Sequence, residues 1–121
     1  MKHKVKGRKL SRTRNQRRAL LKMLAASLIL NNKIKTTEAR AKELRPAIER
    51  VVHIAKQAIQ GEKKKQDIIR RLMGQLPKKA VQKLISELSV KYANRTGGCV
   101  RIVKQVRRKS DSARMAIIEF V

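Results

Sequence analysis

Residues 31–61 read NNKIKTTEARAKELRPAIERVVHIAKQAIQG, and the fold turns on this stretch. Asn31-Asn32 is a stop signal for whatever helix precedes it. Lys33-Ile34-Lys35-Thr36 is short and partly β-branched, the pattern of an edge strand whose lysines discourage stray pairing. Thr36-Thr37 then offers hydroxyl N-caps, and the Glu38 carboxylate favours the positive end of a helix dipole. Leu44, Ile48, Val51, Ala55 and Ile59 follow at helical steps to about Gln60, where Gly61 breaks the pattern. Pro46 falls inside that run, which predicts a kink or a restart.

Towards the N-terminus, Leu20, Leu21, Leu24 and Leu28 line one face of a helix from about Gln16 to Asn31. Arg14, Arg17, Arg18 and Lys22 fall towards its other side. Residues 1–18 carry nine Lys/Arg, no acid, and only Met1, Val5 and Leu10 as sizeable apolar groups. Such a basic arm cannot bury enough surface to fix itself. Towards the C-terminus, Lys63-Lys64-Lys65 opens a third amphipathic segment with Ile69, Leu72, Met73 and Leu76. Pro77 suits the first position of a fourth helix, striped by Val81, Leu84, Ile85 and Leu88. After Arg95-Thr96-Gly97-Gly98 the period changes. Val100, Ile102 and Val106 alternate with Arg101, Val103 and Arg107, which reads as a strand. A polar loop from Arg108 to about Ser112 leads to a second strand, Met115–Val121, antiparallel to the first. The whole is an α+β chain of helix, strand, three helices and a two-stranded hairpin. It predicts one domain over 19–121, a small mixed sheet covered by helices on one face, behind a basic arm over 1–18.

The chain has 121 residues with 33 Lys+Arg against 8 Asp+Glu, a formal net charge of +25. Self-repulsion at this density works against a compact state unless a polyanion screens it. A hydrophobic share of 41% nonetheless supplies one small core, which a disordered basic tail would lack. The single cysteine, Cys99, excludes an internal disulfide framework and a CxxC pair, and it is consistent with a reduced intracellular setting. His3 and His53 have no metal-ligand spacing. The apolar stretch Ala19–Leu30 is too short to span a bilayer. No nucleophile with an adjacent base, no Walker loop, no dinucleotide fingerprint and no HExxH is present, so neither enzyme chemistry nor a cofactor nor a small-molecule substrate is indicated.

Nucleic acid is the polyanion that the charge pattern favours. No C2H2 spacing, zipper or clear helix-turn-helix points to reading a major groove. Tyr92 and Phe120 are the only aromatics, too few for a base-stacking surface. What remains is contact to phosphates and 2′-hydroxyls of a shaped RNA. The arm and first helix supply the leading candidates: Lys2, His3, Lys4, Arg8, Lys9, Arg12, Arg14, Arg17, Arg18 and Lys22. Lys35, Arg45, Arg95, Arg101, Arg107 and Arg108 form a second rank. Thr36 and Thr37 can cap the following helix and touch RNA with leftover capacity. Gly97-Gly98 is a turn entering a strand, where missing Cβ atoms also let a phosphate approach the backbone. A histone-like architectural DNA-binding protein is the competing reading, and a cationic membrane-surface binder is a third.

The same residues carry a resemblance. Met1-Lys2-His3, Arg17-Arg18-Ala19-Leu20-Leu21, Ser27-Leu28, Ile34-Lys35-Thr36-Thr37 and Ala41-Lys42-Glu43-Leu44-Arg45 resemble the bacterial large-subunit ribosomal protein seventeen family. Arg95-Thr96-Gly97-Gly98, Arg101-Ile102 and Ala113-Arg114-Met115-Ala116-Ile117-Ile118-Glu119 continue the match in order to residue 121. The chain departs from the family pattern at Asn31-Asn32, at Cys99 and at Lys109-Ser110-Asp111. The resemblance implies an α+β structural constituent of the large subunit in the cytoplasm, binding 23S rRNA near the nascent-chain exit side. Large-subunit proteins twenty-two and thirty-two would be its neighbours. Because the match begins at Met1, the arm is expected in the mature protein.

Overall fold

Thr13 and Gln16 start the first helix by capping each other. The Thr13 hydroxyl accepts from the Gln16 backbone N–H at 3.4 Å, and the Gln16 carboxamide accepts from the Thr13 N–H at 3.3 Å. This capping box satisfies two orphan donors and sets the start of α1 (Arg14–Asn31) within the segment expected as an arm. Asn32, at a left-handed φ of 67°, ends it and donates its N–H to the Leu28 carbonyl at 2.8 Å. The Lys83 ammonium donates to the Leu30 carbonyl and the Asn32 side chain, both at 3.1 Å, a cation placed where the helix dipole favours it. The computed structural model describes residues 7–61 and 64–121, so the expected Lys63 start of the third helix lies outside it.

The strand and helix of residues 33–60 form as their sequence predicts: β1 (Lys33–Thr37) runs directly into α2 (Glu38–Gln60). The Thr37 hydroxyl accepts from the Arg40 N–H at 3.4 Å, and Gly61 closes the helix at φ 74°. α2 continues through Pro46 as one element instead of restarting. Proline removes one donor, and the Lys42 carbonyl that loses it belongs to an exposed residue, open to solvent.

Beyond Gly61 come α3 (Lys65–Met73) and α4 (Lys78–Lys83), which passes through a π-helical stretch, Leu84–Leu88, into α5 (Ser89–Lys91). In α3 the buried pair is Ile68 and Leu72, with Leu76 just beyond it; Ile69 is partly buried and Met73 is 50% exposed. The inward face therefore holds the expected Leu72 and Leu76 together with Ile68, whereas the expected Ile69 and Met73 lie about 100° around the helix from it. The π stretch lets the Ser89 N–H reach the Leu84 carbonyl. Ser89, fully buried, donates its hydroxyl to the Ile85 carbonyl at 2.6 Å.

The hairpin strands are β2 (Val100–Gln105) and β3 (Met115–Phe120), and the sheet order is β1-β3-β2. Both pairings are antiparallel, where a mixed sheet was expected. β1 and β2 do run parallel, but the last strand separates them. Register places Ile34, Ile118 and Ile102 in one rung across all three strands, with Val100 opposite Phe120 and Thr36 opposite Ala116. That face joins Ala41, Leu44, Ile48, Val52 and Ala55 of α2 in a single core. Each large side chain buried there contributes about 1.5–3 kcal/mol. Val106, expected in the strand, is 83% exposed. Pairing ends at Gln105 opposite Met115, and the following loop is closed instead by the Arg108 N–H to the Ala113 carbonyl at 3.0 Å. The Tyr92 hydroxyl donates to the Val121 carbonyl at 2.7 Å, and the Val121 N–H to the Cys99 carbonyl at 3.0 Å, which ties the chain end to the 95–99 turn.

Candidate nucleic-acid interface

Leu20, Leu28 and Ile29 are buried, and their packing fixes how α1 is rotated on the core. Arg14, Arg18 and Lys22, at steps of four, are consequently presented as one exposed row. Arg18 and Lys22 line a groove of about 750 Å³ together with Arg50 of α2 and Arg71 of α3. Ala19, Ala25, Ala47, Val51, Ile54 and Leu76 form much of its floor, and no carboxylate among the described residues lines it. Arg50 and Arg71 were not singled out from the sequence. Each immediately precedes a core residue, Val51 and Leu72, so each stands beside its helix's buried stripe. Periodicity exposes that position but does not say which helix lies next to it.

A second cluster forms where α2 meets the 95–99 turn. Arg50, Lys56 and Arg95 line a cleft of about 350 Å³ with Pro46, Glu49, His53, Tyr92, Thr96, Gly97 and Cys99. Lys56 is 7% exposed and donates to the Arg95 carbonyl, so its charge is anchored at the base of the turn. The Arg95 guanidinium donates to the Gly98 carbonyl at 3.2 Å. Gly98 sits at φ 66°, which favours glycine, and a Cβ on Gly97 or Gly98 would meet nothing within 4 Å. The turn is therefore open to an outside group. Burial, with the nearby Glu49 carboxylate second, pushes the Cys99 thiol above its ordinary value.

The remaining candidates lie elsewhere. Lys35 shares the uncovered sheet face with Lys33 and Arg101, whose registers place them around Ile117 and Glu119. Arg101 is engaged by Glu119 at 2.7 Å. Arg107 and Arg108 are exposed on the hairpin loop, and Arg108 is held by Asp111 at 2.7 Å. Arg45 is exposed on α2, and Arg17 is half-buried on α1. In the arm, Arg8 pairs with Glu43 at 2.9 Å, Arg12 donates to the Leu10 carbonyl at 2.8 Å, and Lys9 is exposed. Thr37 is engaged as the α2 cap, whereas Thr36 is 6% exposed in the sheet. Lys2, His3 and Lys4 lie outside the described residues.

Carboxylates neutralise few of these cations. Glu38 holds Lys42 at 2.9 Å and Lys104 at 4.0 Å, and the Lys42 hydrogen bond keeps its pKa below the ordinary value. Among the described residues no helix is long and apolar enough to cross a membrane. No group of His, Cys, Asp and Glu among them is arranged to hold a metal ion.

Comparison with known proteins gives a consistent result. A sequence model of the family described as ribosomal protein L17 matches residues 20–121. The large ribosomal subunit protein bL17 of Levilactobacillus brevis is 45% identical, covering 94% of this chain and 97% of the relative. The bL17 proteins of Hydrogenobaculum sp. and Rickettsia bellii are each 46% identical over 100% of this chain, covering 99% and 82% of their own lengths.

Proposed function

The chain belongs to the ribosomal protein L17 family, and from that premise we propose that it holds folded 23S rRNA in place by phosphate and sugar contacts. Its role is that of a structural, non-enzymatic component of the large ribosomal subunit. The observation that carries the RNA-contact reading is the groove, lined by no carboxylate among the described residues, where Arg18 and Lys22 of α1 meet Arg50 and Arg71. Guanidinium forks and ammonium groups at a groove mouth can bracket a phosphate backbone. The apolar floor suits the sugar face of a strand better than a solvated counterion cloud.

Arg14 and Arg17 extend this contact along α1, and Lys2, His3, Lys4, Arg8, Lys9 and Arg12 of the arm are further proposed RNA contacts. Arg95 and the Gly97-Gly98 turn provide a separate contact, and Lys35, Arg45, Arg101, Arg107 and Arg108 are outlying ones. Large-subunit proteins twenty-two and thirty-two are the proposed protein neighbours, and the bacterial cytoplasm the compartment.

Binding of 23S rRNA fragments across a salt series tests this. Replacing Arg18, Lys22, Arg50 and Arg71 together by Gln should weaken binding and flatten the dependence of log K on log salt by about 0.7–0.9 per contact removed. An unchanged slope would mean that the groove does not meet phosphate. Duplex DNA displacing the rRNA fragments at equal phosphate concentration would favour an architectural DNA-binding role instead.

A further inference from the structure

The cleft between α2 and the 95–99 turn contains a group that phosphate contacts do not use. In a chain with 33 cations and 8 acids, a carboxylate facing an RNA backbone is repulsive. Glu38, Glu43, Asp111 and Glu119 each hold a Lys or Arg. Glu49 differs: it lines the cleft, and its Oε1 is buried without a hydrogen-bond partner among the described residues. Leaving such an atom unpaired forfeits the hydration it had in the unfolded chain, so a partner from outside the chain is the natural complement. An ionised carboxylate only accepts hydrogen bonds, and that partner must therefore be a donor.

Among the parts of an RNA strand, phosphates offer no donor and each ribose 2′-hydroxyl offers one. An unpaired guanine offers two side by side, N1–H and N2–H, on the edge that a partner strand would otherwise take. Adenine, cytosine and uracil each present a donor from one nitrogen only. The surroundings fit a planar base attached to a phosphate. The cleft is about 350 Å³, Pro46 and the exposed His53 ring line it, and Arg95 and the anchored Lys56 supply positive charge. Imidazole and guanidinium planes are surfaces on which splayed-out bases stack.

We propose that this cleft takes one unpaired guanine of the bound RNA, with the Glu49 carboxylate accepting from its N1–H and N2–H. The proposal rests on the RNA-contact reading above, and adds one base-specific site to an otherwise backbone-directed surface.

The test uses the full chain and RNA hairpins of equal length that differ only in a single bulged nucleotide: G, inosine, A, U or 2′-deoxyguanosine. The bulged-G hairpin is expected to bind about tenfold more tightly than bulged A or U. Inosine, lacking the N2 amine, should fall between them, and 2′-deoxyguanosine should match G. Glu49→Gln and Glu49→Ala should erase the preference, so that within each variant bulged G binds no more tightly than bulged U, while loss of the carboxylate's repulsion raises the affinity for all hairpins alike. Equal, salt-sensitive binding of all hairpins would overturn the guanine site and leave the backbone reading standing. A preference that follows the 2′-hydroxyl instead of the base would overturn it too. Failure of every hairpin to bind at low salt would remove both readings. The wild-type comparison needs no variant, so misfolding of a Glu49 substitution does not blunt the test.

Discussion

Asp111 closes the hairpin loop by accepting from the Arg108 Nε and Nη2 at 3.0 and 2.7 Å and from the Ala113 N–H at 3.2 Å. These donors hold its carboxyl at about 2, against an ordinary 3.8. A depressed carboxyl favours the closed loop above pH 3.8, and that contribution is lost as pH falls through about 2. A carbon-detected NMR titration should place the Asp111 midpoint near 2; an ordinary midpoint would mean that the loop is open in solution. Cys99 moves the other way, because burial disfavours its thiolate. Iodoacetamide should modify it far more slowly in the native chain than in the urea-unfolded one, and comparable rates would contradict its burial. At this scale the sequence was only partly readable. The Arg108/Asp111 spacing is visible in it, but nothing in the spacing shows that a designated RNA contact is already held by an internal partner. Glu49 was equally opaque, since a lone carboxylate among helical charges reads as an ordinary ion-pair member until burial shows its oxygen without a partner.

Helix ends and strand faces follow local chemistry, which is why elements were largely legible. Thr37, Glu38 and Gly61 mark α2 at both ends, and the lysines of β1 mark an edge. The Thr13/Gln16 capping box went unread inside a run of cations, so the helix expected from about Gln16 starts two residues earlier, at Arg14. Thr13→Ala should cost about 1 kcal/mol and speed amide exchange in the first turn of α1; exchange unchanged there would show that the cap contributes nothing. The two sheet faces give a sharper contrast. Ile118 is fully buried between Ile34 and Ile102, whereas Val103 is 40% exposed on the uncovered face. Ile118→Ala should destabilise by about 2–5 kcal/mol, and Val103→Ala by about 0.5 kcal/mol or less. Urea unfolding of the two variants reads both, and equal losses would mean that the far face is covered in solution. In α3, Leu72 and Leu76 were legible as core, but Ile68 was not distinguished from Ile69 and Met73 for a physical reason: neighbouring residues make competing helical stripes, and only packing against α2 chooses between them.

For the molecule as a whole, the net charge of +25 acts on a fold whose core is small. Salt screens that repulsion, so the melting temperature of the isolated chain should rise between low and physiological ionic strength. A fall would show that its ion pairs outweigh its self-repulsion. Overall charge was the most legible property of the interface, and its assembly the least. Arg18, Lys22, Arg50 and Arg71 come from three helices far apart in sequence, and only their packing makes one groove. The order of the sheet, β1-β3-β2, carries a consequence for how the chain is made. The central strand is the last of the three to be synthesised, and both outer strands depend on it for every inter-strand bond. Residues 33–37 therefore leave the site of synthesis with no neighbour to pair with, and wait while roughly 75 more amino acids are added, which at cellular elongation rates takes several seconds. Helices can condense during that interval; the sheet cannot. Sheet closure must await the third strand, and a chain interrupted between Gln105 and Met115 would have two strands and no sheet.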